Sequence, residues 1–232
     1  MWSLGRSEAH GADKLGLVSG ALKRYACLMQ LFHSAGSPYA RIARMAVLEL
    51  GLEGRVSFIE TTLRDPASSL LPHNPVGRVP SLVLADGTTV TETTPILMVL
   101  DSLVAPEKRL LGDGADGWKR LAAYGRVLGM LDGIAVWNRE LRRPVHERSP
   151  GVIALEETRA ARIAAALQDD VAKGVYAAPD AGFLALLAVL GYCERRHRVW
   201  AWRDGLPGLA TWFDRASDRP SFAATMPPVS GI

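Results

Sequence analysis

The chain has 232 residues, 48% of them hydrophobic, and its 27 Lys and Arg against 24 Asp and Glu leave a formal charge of +3 and a pI near 9.0. That length buries one good core or two small ones packed together, and so mild a charge gives no reason to expect nucleic acid as a partner. The cysteines, Cys27 and Cys193, are far apart and lack CxxC spacing, so no disulfide framework and no metal site are expected, and a reducing, cytoplasmic location fits.

No apolar run approaches the roughly 20 residues a membrane-spanning helix needs. Residues 1–27 carry Gly, Ser and scattered charge without the long apolar stretch of a secretory signal. They read as a disordered extension, with Met29 as an alternative functional start.

Residues 28–33 are short and apolar and run into Ser34-Ala35-Gly36, which predicts a buried first strand ending in a loop. Ser37 then takes the place of an N-cap, with Pro38 at the first helical position, where its missing N–H costs nothing. Ile42, Ala43, Ala46, Val47 and Leu50 recur at helical spacing and Gly51 ends the helix. A second strand is expected at 56–60, parallel to the first through a right-handed crossover. A short helix is expected near 67–71. Strands at 81–84 and 88–91 flank an Asp86-Gly87 turn, and a helix over 93–104 buries Ile96, Leu97, Leu100 and Leu103. Pro106, Gly112, Gly114 and Gly117 mark 105–117 as a linker. Beyond it, helical spacing over 118–141, 152–171, 180–195 and 206–216 predicts an all-helical bundle. Asp180 caps the third of these helices, with Phe183 where a capping box would place an acid. The basic run Arg195-Arg196-His197-Arg198 falls at a helix end, where cations offset the dipole.

Asn74-Pro75-Val76-Gly77-Arg78-Val79-Pro80 is the stretch around which this order is arranged. A proline directly before a strand and after a β-branched residue suits a cis bond, and would leave the backbone N–H and C=O of Val79 free to pair with an extended peptide. Glu92 could meet the peptide's ammonium group, and the N–H and hydroxyl of Thr93, at a helix start, its carboxylate. The two segments describe a socket for something like γ-Glu-Cys-Gly.

These motifs resemble those of the soluble glutathione transferases. Besides Asn-Pro-x-Gly-x-Val-Pro, the resemblance rests on Glu92-Thr93-x-x-Ile96, Ser37-Pro38-Tyr39-Ala40-Arg41, Leu190-Gly191-Tyr192 and Arg219-Pro220-Ser221-Phe222, and covers roughly residues 28 to 225. It implies a thioredoxin-like glutathione-binding domain at 28–104, the linker at 105–117, an all-helical domain at 118–232, and a homodimer. It also implies glutathione as co-substrate and an apolar electrophile as its partner, in detoxification. By the resemblance, Val79 and Pro80 would meet the cysteinyl unit, Glu92 and Thr93 the γ-glutamyl end, and Arg78 or His73 the glycine carboxylate. Tyr124, Met130, Trp137 and Trp200 are candidate walls for the electrophile.

The reactive group would be a thiolate, so the enzyme's task is electrostatic. Ser37 offers an O–H and a helix N-terminus, and Ser34 is the reserve candidate. Where tyrosine-type members carry their tyrosine, this chain has Phe32 and His33, and its loop has no cysteine, which favours a serine-type transferase over a reductase. A glutathione-dependent isomerase on the same scaffold and a non-catalytic protein-interaction module are the alternatives.

Overall fold

The computed structural model describes residues 29–230. The extension expected at 1–27 lies outside the described residues. Strand β1 (Met29–His33) leads through a four-residue loop to helix α1 (Pro38–Glu49), then to β2 (Val56–Glu60), β3 (Ser81–Val83), β4 (Thr89–Thr91) and α2 (Thr93–Ser102). The sheet order is β2-β1-β3-β4, with β2 parallel to β1 and the other pairs antiparallel. This is the thioredoxin-like arrangement. Leu31 and Leu82 face each other in register across β1 and β3 and are both fully buried.

The second part is helical: α3 (Gly114–Leu141), α4 (Pro150–Ala172), α5 (Ala181–Arg196), α6 (Pro207–Ala216) and α7 (Pro220–Ala224). Helix α5 is the central rod of the molecule. Residues 181 to 193 are all buried, as a helix apolar on every side must be. Asp180 caps it by accepting from the N–H of Phe183 at 3.0 Å, and the Phe183 ring packs on Trp212 with centroids 5.1 Å apart. The helix therefore forms without an acidic partner in the capping box.

Three local expectations change. Residues 67–71 form successive turns, not a helix, because the side chains of Asp65 and Ser68 hydrogen-bond to nearby backbone N–H groups and compete with helical pairing. Helix α3 starts at Gly114, four residues before the apolar spacing begins. Helix α7 was not expected from the sequence; Pro220 at its first position starts it.

The two parts are joined by buried polar contacts. Asp101, at the end of α2, accepts the N–H groups of Leu110 and Leu111 at 2.8 Å each, which ties the segment before α3 to the first domain. On the other side, Arg41 of α1 reaches the carbonyl of Phe222 at 2.9 Å and the hydroxyl of Thr225 at 3.2 Å. Among the described residues, no helix is long and apolar enough to cross a membrane.

Candidate active site

A cleft of about 360 Å³ opens between the two parts. Its floor is the start of α1 and the loop before β3, with Ser37, Pro38, Tyr39, Arg78 and Val79; Glu92 closes one end. Helices α3 and α5 form the far wall, with Asp132, Ala135, Asn138, Arg139 and Tyr192.

Each floor residue has a local reason to be there. Ser37 has extended backbone (φ −83°, ψ 119°), and its oxygen accepts the N–H of Ala40 at 3.2 Å, capping α1. Capping uses a lone pair and leaves the O–H free to donate, so a cap and a donor can coexist in one side chain. The loop before β3 is organised by Asn74, which is 3% exposed. Its amide donates to the Arg78 carbonyl at 3.1 Å and the Ser81 hydroxyl at 2.9 Å, while its oxygen accepts from the N–H of Val76 at 3.0 Å. Gly77, at φ 66°, makes the turn that this clamp requires. The Val79-Pro80 bond is cis, and the N–H and C=O of Val79 take no hydrogen-bond partner among the described residues.

Glu92 is the one non-glycine residue at positive φ among the described residues (φ 68°, ψ 149°). This region of backbone space is sparsely populated by L-residues, and such strain clusters where function demands it. It places Glu92 on the cleft ahead of α2. Thr93 lies behind it, 3% exposed, with a buried hydroxyl that has no partner among the described residues.

Tyr39 donates its hydroxyl to the carboxylate of Asp132, bridging α1 to α3 across the cleft. Burial, then the hydrogen bond and charge of Asp132, push the phenol far above its ordinary range. It is a neutral tyrosine whose proton is already committed. Tyr192 is also held high, by burial first. His33 is a packed histidine: burial, and then the charge of Arg44, lower its pKa, and its ring stands edge-on to Phe58.

The structure thus brings Ser37, Arg78, Val79 and Glu92 to one cleft, with cis-Pro80 and Thr93 just behind. Ser34 is not among the cleft-lining residues; its carbonyl accepts from the N–H of Ser37 at 3.1 Å. Nor is His73, whose ring packs on Phe32 with centroids 5.4 Å apart.

The residues expected from the sequence as electrophile walls do not line this cleft. Tyr124, Met130 and Trp137 are 2% exposed or less and belong to the hydrophobic core. Trp200 packs on Trp137, with centroids 6.3 Å apart, and lines a separate hollow with Trp202 and Arg203. The reason is helical phase: the buried stripe of α3 packs against α4 and α5, and the cleft receives the adjacent face, Asp132, Ala135 and Arg139. That 3-and-4 spacing was the available signal for residues the sequence reading missed. Tyr39, Leu63, Asn138 and Tyr192 also enter the cleft, through tertiary packing alone.

Comparison with known proteins bears on what this cleft belongs to. Residues 36–103 match the model of the glutathione S-transferase N-terminal domain. A glutathione transferase family member from Pseudomonas fluorescens Pf-5, crystallised with bound glutathione, is 30% identical, covers 87% of this chain and all of its own, and superposes with a TM-score of 0.79. A glutathione S-transferase from Methylobacillus flagellatus KT, also with glutathione bound, is 27% identical over 86% of this chain and 99% of its own, with a TM-score of 0.78. Among curated sequences, the glutathione S-transferase stcT of Emericella nidulans is 26% identical, over 69% of this chain and 74% of its own. The strand order, the loop ending in a cis-proline and an identity of 30% sustained over nearly the whole fold agree: this chain belongs to the glutathione transferase family.

Proposed function

We propose that the protein is a serine-type glutathione transferase that binds glutathione in the cleft, stabilises its thiolate beside Ser37 and adds it to an electrophilic small molecule. The observation that carries this reading is the convergence of Ser37, the unpaired backbone of Val79 and the strained Glu92 on one cleft. The similar structures named above hold glutathione, which supports the same ligand here.

The Val79 backbone pairs with the cysteinyl unit of glutathione as an added strand would, and this fixes the sulfur near the mouth of α1. Glu92 receives the γ-glutamyl ammonium. The N–H groups at the start of α2 and the buried hydroxyl of Thr93 receive the γ-glutamyl carboxylate. Arg78, which lines the cleft where His73 does not, receives the glycine carboxylate in this reading.

A thiol of ordinary pKa, about 8.5, is only a few per cent ionised at neutral pH, and lowering it by about two units needs roughly 2.7 kcal/mol. A hydroxyl donated to the sulfur supplies roughly 1.5–3 kcal/mol, and the N-terminus of α1 roughly 0.3–1 more. Ser37 is therefore a stabiliser of charge and forms no covalent bond to the substrate.

In this reading residues 28–104 hold glutathione, 105–117 connect, and 118–232 close the cleft, with α3 taking over from Gly114. The protein acts in detoxification in the cytoplasm, in keeping with Cys193, a buried unpaired thiol. It is a homodimer; the apolar hollows lined by Met98, Leu111 and Leu121, and by Leu84, Val99 and Leu103, supply area for a partner copy.

The test is a glutathione titration followed by thiolate absorbance in the ultraviolet, for the wild type and Ser37→Ala. The expected result is a bound thiol that ionises well below its free pKa, with the shift lost in the variant. Absence of binding would overturn the assignment, and a shift unchanged in the variant would remove Ser37 from the chemistry.

A further inference from the structure

Two hydrogen-bond donors on the far wall of the cleft, Arg139 and Tyr192, have no part in the proposed glutathione site. Arg139 of α3 lines the cleft and is exposed there. Its Nε donates to the Ala135 carbonyl of its own helix at 3.0 Å, which orients the guanidinium, and no carboxylate among the described residues pairs with its terminal nitrogens. Tyr192 of α5 lines the same cleft, is only 8% exposed, and its hydroxyl has no partner among the described residues. The two side chains line the same wall of the cleft.

The other polar groups of this wall offer no free donor. One oxygen of the Asp132 carboxylate takes the Tyr39 hydroxyl, and a carboxylate has no proton to donate to an anionic ligand. The Asn138 amide donates to the Arg196 carbonyl at 2.8 Å and its oxygen accepts from Arg142 at 2.8 Å. Arg139 and Tyr192 are the hydrogen-bond donors of this wall that keep free N–H and O–H groups at the cleft. A phenolic O–H that reaches the cleft with no protein partner among the described residues is free to donate to a ligand. A guanidinium on the same wall selects an acceptor that is planar and anionic.

We propose that Arg139 and Tyr192 form a carboxylate subsite for the second substrate, so that the electrophile is a small acid and not the neutral apolar molecule expected from the sequence. The inference rests on glutathione occupying the floor of the cleft. It makes Arg139 and Tyr192 specificity-determining residues, since a neutral electrophile would leave both donors desolvated and unpaired.

The experiment compares the affinities of glutathione, S-propylglutathione and S-(2-carboxyethyl)glutathione by calorimetry. The last two differ by a terminal methyl against a carboxylate on chains of equal length. The wild type is expected to prefer the carboxylate by about tenfold, the ratio corresponding to one charge-assisted contact. Arg139→Leu should remove most of that preference and Tyr192→Phe part of it, with glutathione affinity within about twofold of wild type in both; Arg139→Lys should restore part of it. A wild type that favours the propyl compound, or an equal preference in Arg139→Leu, overturns the subsite. So does a large loss of glutathione affinity in Arg139→Leu, which would assign the guanidinium to glutathione itself. No binding of glutathione by the wild type would overturn the transferase reading as well, so the two failures are distinguishable.

Discussion

The guanidinium carbon of Arg41 lies 4.0 Å from the centre of the Phe222 ring, so a cation of the first helix rests on an aromatic side chain of the last. Arg41 is 2% exposed, and its named partners are a carbonyl, a hydroxyl and a ring, with no carboxylate. Burial, followed by repulsion from Arg44 and Arg195, lowers its pKa. The contact is possible because Gly191 has no side chain. A Cβ there would stand 2.7 Å from Arg41 Nη1 and 2.8 Å from the Phe222 ring.

Gly191→Ala is therefore expected to destabilise the protein by roughly 1–3 kcal/mol, since neither the multiply bonded guanidinium nor the ring can withdraw freely. Urea unfolding monitored by circular dichroism measures it. A midpoint equal to that of the wild type would mean that the Arg41 and Phe222 contact yields without loss.

Glu49 makes the neighbouring clasp. Its carboxylate accepts Arg219 in a fork, with Nε at 2.9 Å, and also the Ser221 hydroxyl. Burial raises its pKa, but the hydrogen bonds from Arg219 and Ser221 and the charge of Arg219 outweigh it and leave the carboxyl below its ordinary value. With the folded-state pKa depressed, the unfolded chain binds the proton first as pH falls. This contribution to stability is present above the ordinary glutamate range and fades through it toward the lower folded-state value. Glu49→Gln should lower stability at pH 7 and flatten its dependence on pH below about 5. Equal slopes for variant and wild type in acid unfolding would exclude the clasp as a source of acid sensitivity.

Glu92 predicts a trade between stability and binding. Glycine tolerates φ 68°, ψ 149° without strain, so Glu92→Gly relieves a conformation that costs a non-glycine residue about 1–3 kcal/mol. The greater freedom of glycine in the unfolded chain offsets about 0.5–1 kcal/mol of this. The variant is expected to unfold at the same or a higher denaturant concentration while losing at least about tenfold in glutathione affinity, the loss of one charged contact. Destabilisation with binding intact would show that Glu92 serves the fold instead.

Ser37 and Ser34 separate a cap from a donor. Removing the Ser37 oxygen takes the acceptor from Ala40, so Ser37→Ala should lose about 1 kcal/mol of stability along with turnover. Ser34→Ala should change neither by much, since its recorded bond is through the backbone carbonyl. Turnover falling in Ser34→Ala and not in Ser37→Ala would reverse the assignment.

Local chemistry was enough to read the first domain from the chain. Ser37-Pro38 starts a helix, Gly51 ends one, Asp86-Gly87 turns a hairpin, and Asn74 to Pro80 is a self-contained clamp whose bonds span at most seven residues. Each acts over a few residues, so each is visible without knowing the fold. The same holds for the cleft floor, where Val79 and Glu92 flank a hairpin and are brought together by short-range pairing.

The far wall could not be read this way. Whether Met130 or Arg139 meets a substrate depends on the rotation of α3 about its axis, which is set by its packing against both α4 and α5. Tyr39 acquired its role from Asp132, 93 positions distant, and Arg41 from Phe222, 181 positions distant. The sequence by itself determined the fold class and the floor where glutathione is proposed to lie. Only the tertiary structure decided which side chains face it, because helical periodicity marks an apolar stripe but does not say which neighbouring face is left open to a ligand.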